Sequence, residues 1–389
     1  MKSLRRVLPS GLAALLIAAS PVTAFGASPE FARTAEEWAR LRDNVIEYGE
    51  LEDLIEEYNT TVQTNQLDLN EFKRKYGDTK DDVSQKYRDM AGEIYSSLEY
   101  PDPDDPTYGM VVNSVLMAEI QAKNMEQQAD NNLEDSEIVY LNYKSAEKTL
   151  VTVAQTNMIN YQKDQISLKQ VELAKRQAEI SLSSARTKAA VGTATRVEVL
   201  NAEEAVQNAD RSVESARTAI NNVRQKLQVM LGWKYSDAPE ILEVPVSDIG
   251  RIAGMDPQAD REKALENNYT LKVNRKKRSN ATADADIEKL DRTIADNEQK
   301  IGSSLVTCYQ NVQSAKLAYD QAAADLELEK RNLDSTRLQH SQGRASANQL
   351  ELQELAVQTK ELALKLADLN LFQTMETYDW AVKGLAGAS

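Results

Sequence analysis

The chain has 389 residues with 61 acidic against 46 basic side chains, and its formal net charge of -15 opposes binding to nucleic acid or to anionic lipid by long-range repulsion. At 41% hydrophobic it is too apolar for a disordered acidic tail, while 6% aromatic and 14 Gly suit long helices better than compact aromatic-cored globules. One Cys and one His exclude an internal disulfide and leave no His/Cys cluster for a metal.

The first residues read as a cleavable secretory signal over 1–24: Lys2, Arg5 and Arg6, an apolar run from Leu12 to Ala19, then Val22-Thr23-Ala24. The exported protein is expected to begin near Phe25, where no cysteine offers a lipid attachment point, and no later apolar run approaches the ~20 residues that span a bilayer. The next element is an amphipathic helix from Thr34 to Val62, opened by a Thr34–Glu37 capping box and striped by Trp38, Leu41, Val45, Leu51, Ile55 and Tyr58. From Tyr95 to Val112 the prolines 101, 103 and 106 among Asp102, Asp104 and Asp105 mark a solvated turn.

Heptad spacing then takes over. Leu168, Val171, Ala178, Leu182, Ala185 and Ala189 form one apolar seam, interrupted by Lys175, whose stem can snorkel. A second seam interleaves Val199, Val206, Val213, Ile220 and Leu227 with Ala202, Ala209, Ala216, Val223 and Met230, and alanine at alternate positions allows close approach of the partner helix. Between the seams, Gly192 suits a left-handed helix end after Val191, and Thr195 with Glu198 is a capping box that starts the next helix, so the segment predicts a tight hairpin tip. Leu231-Gly232-Trp233 ends this hairpin, and Ile241, Leu242 and Val244 between Pro239 and Pro245 predict a short strand.

Helix is expected to resume near Asp256 and to run unbroken from Lys272 through Lys300. The tip pattern returns 151 residues after the first (343 minus 192): Gly343, then Ser346 and Gln349 in the capping positions. Its flanking seams are Leu305, Cys308, Val312, Ala315, Tyr319, Ala322, Leu326 and Leu333 before, and Leu352, Leu355, Leu362, Leu366 and Leu369 after. This internal duplication predicts an all-α, elongated bundle with two repeated coiled-coil hairpins and little β-structure, one repeat over 25–232 and one over 233–387. Arms of roughly 40 to 50 residues correspond to about 60 to 75 Å.

Chemistry has little to stand on. His340 falls on the seam of Leu333 and reads as a packed or tip-proximal structural residue, and Cys308 between Leu305 and Val312 reads as inert core. The aspartates at 102, 104 and 105 lack the glycine and distal glutamate of a calcium loop, and no glycine-rich phosphate loop is present. Trp233 and Trp380 are expected to anchor helices in the body of the rod. These residues predict neither an enzyme, a cofactor nor a metal site.

The segment Val191-Gly192-x-x-Thr195-x-x-Glu198-Val199-Leu200-x-Ala202-Glu203, leading to Met230-Leu231-Gly232, resembles the TolC family of outer membrane efflux proteins. Gly343-x-x-Ser346-x-x-Gln349-Leu350 is its degenerate second copy, and Ala264-Leu265-Glu266-Asn267-Asn268-Tyr269-Thr270-Leu271 resembles the segment that opens each half in that family. The resemblance implies a homotrimer forming a hollow helical cylinder with an acidic lumen, whose tips meet a periplasmic adaptor protein that works with an inner-membrane transporter. Carried over by position, Val191, Gly192, Thr195, Glu198, Gly343, Ser346 and Gln349 would be the partner-binding residues. The family also inserts two membrane strands per half, and this sequence offers none: the 95–112 gap is short and rich in Pro and Asp, and 272–300 is charged and helical. A scaffold of the cell envelope, using the same rod without conduction, is the alternative expectation.

Overall fold

The computed structural model describes residues 33–388 apart from 105, so the signal segment 1–24 and the start near Phe25 lie outside the described residues. Each half is organised around one very long helix. In the first half this is α6 (Ser136–Ala190, 55 residues), followed by a shorter return arm, α7 (Arg196–Met230, 35 residues). In the second half the pair is α10 (Asp284–Ser341, 58 residues) and α11 (Ala347–Trp380, 34 residues). The arms are therefore unequal, not matched at 40 to 50 residues: at 1.5 Å per residue the long ones run about 82 and 87 Å and the short ones about 50 Å.

The long arms outlast their partners because their lower halves carry a second set of buried residues. Val151, Ala154 and Met158 of α6, and Ile301 and Leu305 of α10, are completely buried. Two pairs of short helices cover them: α2 (Leu51–Tyr58) and α3 (Thr60–Tyr76) lie on α6, and α8 (Arg261–Asn267) and α9 (Tyr269–Asn280) lie on α10, with α9 also touching α6. The main core collects at this level, with Leu51, Leu54, Ile55, Leu227, Leu231, Phe372 and Trp380 in one cluster and Leu271, Ile301, Leu305, Met375 and Tyr378 in a second. Full burial of each such aliphatic side chain contributes about 1.5–3 kcal/mol relative to exposure. Trp380 anchors α11 as expected, and its indole donates to Gln155 Oε1 at 2.6 Å.

The single helix expected over 34–62 is instead four elements and the start of a fifth, α3. The helix α1 (Ala35–Leu41) is opened by the Thr34–Glu37 box, β1 spans Val45–Ile46, and a 3-10 turn at Tyr48–Glu50 leads into α2. The apolar stripe is real, since Trp38, Leu41, Leu51 and Ile55 are all buried. Its continuity is interrupted by a contact almost two hundred residues away, where β1 pairs in parallel with β2 (Glu240–Ile241). That short strand falls inside the predicted Pro239–Pro245 stretch. These two-residue strands are the only ones among the described residues.

Further departures follow from local chemistry. Helix resumes at Arg261, after a 3-10 turn over Ile249–Gly254, and not near Asp256. The run from Lys272 to Lys300 is broken after Asn280, because Ala281 is extended and the chain folds back into α10. Asn280 serves the break by donating to the Leu133 carbonyl (2.9 Å) and to Asp135 Oδ2 (2.8 Å) beside the start of α6. The proline turn before Val112 is present, but it joins two helices, α4 (Lys80–Ser96) and α5 (Tyr108–Asp130), that pack along each other as an additional hairpin.

This extra hairpin accounts for the unequal lengths of the halves. Asn59 precedes Gly192 by 133 residues (192 minus 59), whereas Asn268 precedes Gly343 by 75 (343 minus 268), and the excess of 58 matches the stretch from Asp78 to Asp135. Both asparagines are buried N-caps: Asn59 accepts from the amides of Thr61 and Val62, and Asn268 from that of Leu271. Each also faces the end of a short arm at a positive-φ glycine. A Cβ on Gly232 would lie 2.6 Å from Tyr58 Cβ, and one on Gly384 would lie 2.5 Å from the Asn267 carbonyl oxygen.

Candidate functional site at the hairpin tips

Both reversals repeat the same pair of backbone hydrogen bonds. At the first, the Gly192 amide (φ 75°) donates to the Ala189 carbonyl at 3.0 Å and the Thr193 amide to the Lys188 carbonyl at 2.8 Å. At the second, Gly343 (φ 73°) donates to His340 at 2.9 Å and Arg344 to Gln339 at 2.8 Å. These paired bonds are the Schellman arrangement that satisfies the last carbonyls of a helix. The next helices then open with reciprocal boxes, Thr195 with Glu198 and Ser346 with Gln349. Backbone and hydroxyl hydrogen bonds from Thr195 hold the Glu198 carboxyl below its ordinary range, so it stays ionised at the tip.

Behind the tips the seams pack as their spacing predicts. Every residue of the Val199 and Ala202 series is half-buried or buried, while the intervening positions are mostly exposed. Lys175 does more than snorkel: its Nζ pairs with Asp210 of the facing arm at 2.7 Å. Closer to the tips, Arg186 pairs with Glu203 at 2.7 Å in the first hairpin and Arg337 with Glu354 at 3.4 Å in the second. Both members of this pair repeat at the 151-residue offset of the glycines, a signal present in the sequence that the reading of apolar seams passed over.

The two tips stand side by side. Helix α6 packs on α11, and Arg176 of the first hairpin donates through Nε (2.8 Å) and Nη2 (2.5 Å) to Glu351 Oε1 of the second. Between them lies an open groove of about 410 Å³. Of the seven predicted residues, Glu198, Ser346 and Gln349 line it, while Val191, Gly192, Thr195 and Gly343 sit on the exposed turns beyond it. Leu352 of the predicted seam also lines the groove, and so do Lys188 and Asn348, which were not singled out because only the pairing of hairpins brings them there. His340 is exposed just before the second turn, which corrects the packed seam position and leaves the tip-proximal one.

Cys308 also departs from a plain seam position. It is half-buried on the wall of a cavity of about 350 Å³ between α6, α10 and α11, with Ser304, Thr152, Gln155 and Tyr48. Burial pushes its thiol above the ordinary value, which disfavours the nucleophilic thiolate. Among the described residues no group of three or more His, Cys, Asp or Glu is placed to hold a metal ion, and no helix is long and apolar enough to cross a membrane.

No family model matches the sequence, and no curated protein sequence matches it. Solved structures do. The outer membrane protein VceC of Vibrio cholerae is 10% identical and matches over 90% of this chain and 99% of its own, with a TM-score of 0.52. Other matches are the CmeC outer membrane channel of Campylobacter jejuni, at 12% identity over 89% of this chain and 91% of that one with a TM-score of 0.42, and the MtrE outer membrane channel of Neisseria gonorrhoeae, at 14% identity over 87% and 89% with a TM-score of 0.44. At 10% identity the likeness to VceC is one of architecture, and together with the two repeated helical hairpins it gives the chain a TolC-like fold.

Proposed function

We propose that this chain is one subunit of a homotrimeric export conduit of the cell envelope, which docks a periplasmic adaptor protein through its hairpin tips and through it an inner-membrane transporter. The observation that carries the reading is the pairing of the two tips into one surface, held by Arg176 and Glu351 and grooved between Glu198, Ser346 and Gln349. Turns that only reversed the chain would need no such registration. The half-buried seams add support, since a helix pair this long covers little of its own apolar surface and gains by packing against further copies. No covalent chemistry is assigned, and the work of moving solute falls to the transporter.

The test is hydrodynamic measurement of the exported chain with a periplasmic adaptor protein from the same cell, together with Gly192→Trp and Gly343→Trp variants. A trimer that binds adaptor, with binding lost in the variants at unchanged helicity, is the expected result. A chain that stays monomeric with adaptor present, or that binds equally well when both glycines are replaced, would overturn the proposal.

A second reading, a scaffold of the envelope without conduction, is favoured by one observation. The two places where membrane strands were sought are occupied by the helical hairpin α4–α5 and by the short link between Asn280 and Asp284. Export assays in a deletion strain separate the two, since a scaffold would leave solute release unchanged.

A further inference from the structure

The ion pairs that join the arms nearest each turn are Arg186 with Glu203 and Arg337 with Glu354. Beyond them, residues 187–202 and 338–353 carry the formal charges of Lys188, Arg196, Glu198, Arg344 and Glu351. Glu351 is taken up by Arg176. Glu198 bends back on its own turn, where its Oε2 accepts from the Thr195 amide at 2.6 Å and from the Thr195 hydroxyl at 3.0 Å. Lys188, Arg196 and Arg344 are exposed, and among the described residues none of them has an ion-pair partner. The tips of a chain with a formal net charge of -15 are therefore positive, since these three cations against the carboxylate of Glu198 leave +2 (3 minus 1). The second tip contributes no free carboxylate because Gln349 stands where the first has Glu198.

Apolar surface lies among these charges, with Val191, Val197 and Leu338 at 71%, 63% and 60% exposed. The groove behind them is walled by Ser346, Asn348 and Gln349 beside Lys188. Such hydroxyls and amides bond in fixed directions, which side chains protruding from a protein can meet and a planar lipid surface cannot. Charge then sets the partner's chemistry. Exposed ion pairs contribute little to equilibrium affinity, but a cluster of one sign steers the approach of the opposite sign and turns away its own. We infer that the tips form a cationic end-face selecting an adaptor whose docking end carries carboxylates, with Lys188, Arg196 and Arg344 as the recognising groups, an assignment that rests on docking through the tips.

The experiment measures association of the full exported chain with a periplasmic adaptor protein from the same cell, across a salt series, for wild type and a Lys188→Gln, Arg196→Gln, Arg344→Gln triple variant. The wild-type association rate should fall with salt, and at low salt the variant should associate at least about tenfold more slowly with a flattened salt dependence. An unchanged rate and salt dependence in the triple variant, while Gly192→Trp and Gly343→Trp abolish binding, would overturn the acidic partner and leave docking through the tips intact. Adaptor binding that survives both tryptophan variants would overturn tip docking itself, and the acidic partner with it. Faster association of the triple variant would assign the adaptor a basic end. Sedimentation with phosphatidylglycerol vesicles that is lost in the variant would assign the cations to lipid, and a changed oligomeric state in the variant would assign them to contacts between copies. Each of these three results overturns the inference. Because all three side chains are exposed and Arg196 opens α7, where a cation opposes the helix dipole, circular dichroism should match wild type and the thermal midpoint should not fall.

Discussion

Asn59 and Asn268 stand at matching joints. The Asn59 amide donates to the Met230 carbonyl at 2.9 Å while its oxygen caps α3, and the Asn268 amide donates to the Ala386 carbonyl at 2.9 Å while its oxygen caps α9. One side chain therefore breaks the entering helix, starts the next, and ties that break to the end of the hairpin's return arm. Asn268 is 1% exposed, so water cannot replace its bonds. Asn268→Ala removes a cap, at about 1 kcal/mol, and strips a donor from buried carbonyls, at about 1–3 kcal/mol. A loss of about 2–4 kcal/mol in urea unfolding is expected. A change below about 1 kcal/mol would show that the joint does not depend on the side chain.

Four of the five positive-φ glycines, those at the tips and at the joints, divide into two kinds of site, and substitution should separate them. At Gly192 and Gly343 an added Cβ meets nothing within 4 Å, so alanine costs only the left-handed conformation, about 1–2 kcal/mol each. At Gly232 and Gly384 the same methyl strikes Tyr58 Cβ or the Asn267 carbonyl at 2.6 and 2.5 Å, and one of the two helical segments must move. Thermal unfolding should rank Gly384→Ala and Gly232→Ala well below Gly192→Ala and Gly343→Ala. Equal effects at all four would mean that the joint accommodates a methyl group by relaxation.

The tips were legible in the sequence because everything that makes them is local. A glycine, a hydroxyl three residues on and a Glu or Gln three further specify a Schellman end and a capping box wherever they fall. The seams were legible for a similar reason, since Val213 and Leu227 recur on the partner-facing side of α7 whatever surrounds it. The joints were hidden because their cause is distant. Nothing near Asn59 announces Met230, and nothing near Val45 announces Glu240. The apolar spacing from Trp38 to Ile55 read as one helix because it is continuous, although the backbone beneath it is not. The additional hairpin was half visible: its prolines fixed the turn, while the heptads of α5 went unread beside the longer ones.

Glu50 provides a pH test with a definite sign. It is 3% exposed, its Oε1 accepts from the Glu47 amide at 3.0 Å, and Arg40 Nη2 stands 3.8 Å away. Burial, reinforced by the carboxylates of Glu47 and Asp43, outweighs these contacts and raises its pKa above that of the unfolded chain. The native state therefore holds this proton to higher pH than the unfolded state, and the residue's contribution to stability falls as pH rises through the carboxylate range. Glu50→Gln keeps the acceptor for Glu47 and cannot ionise. Relative to wild type its stability should improve as pH rises past the ordinary glutamate value of about 4.3, and the difference should vanish in acid. Urea midpoints across that range decide it. A deficit that widens with pH would mean that ionised Glu50 is favoured by Arg40.

Cys308 gives a probe of the cavity between the two halves, because it is the only thiol in the chain. Its wall position beside Ser304, Gln155 and Tyr48 joins α10 to α6 and the 3-10 turn before α2, so opening of the body would expose it. Alkylation requires the thiolate, and burial raises the thiol's pKa in the folded state. Iodoacetamide at mildly alkaline pH should therefore label the native chain several-fold more slowly than the urea-unfolded one. The native rate should also rise in Asn268→Ala, whose joint holds the Ala386 end of the chain against the same helices. Labelling of native and unfolded chains at equal rates would show that the cavity admits solvent freely and that the halves separate without unfolding.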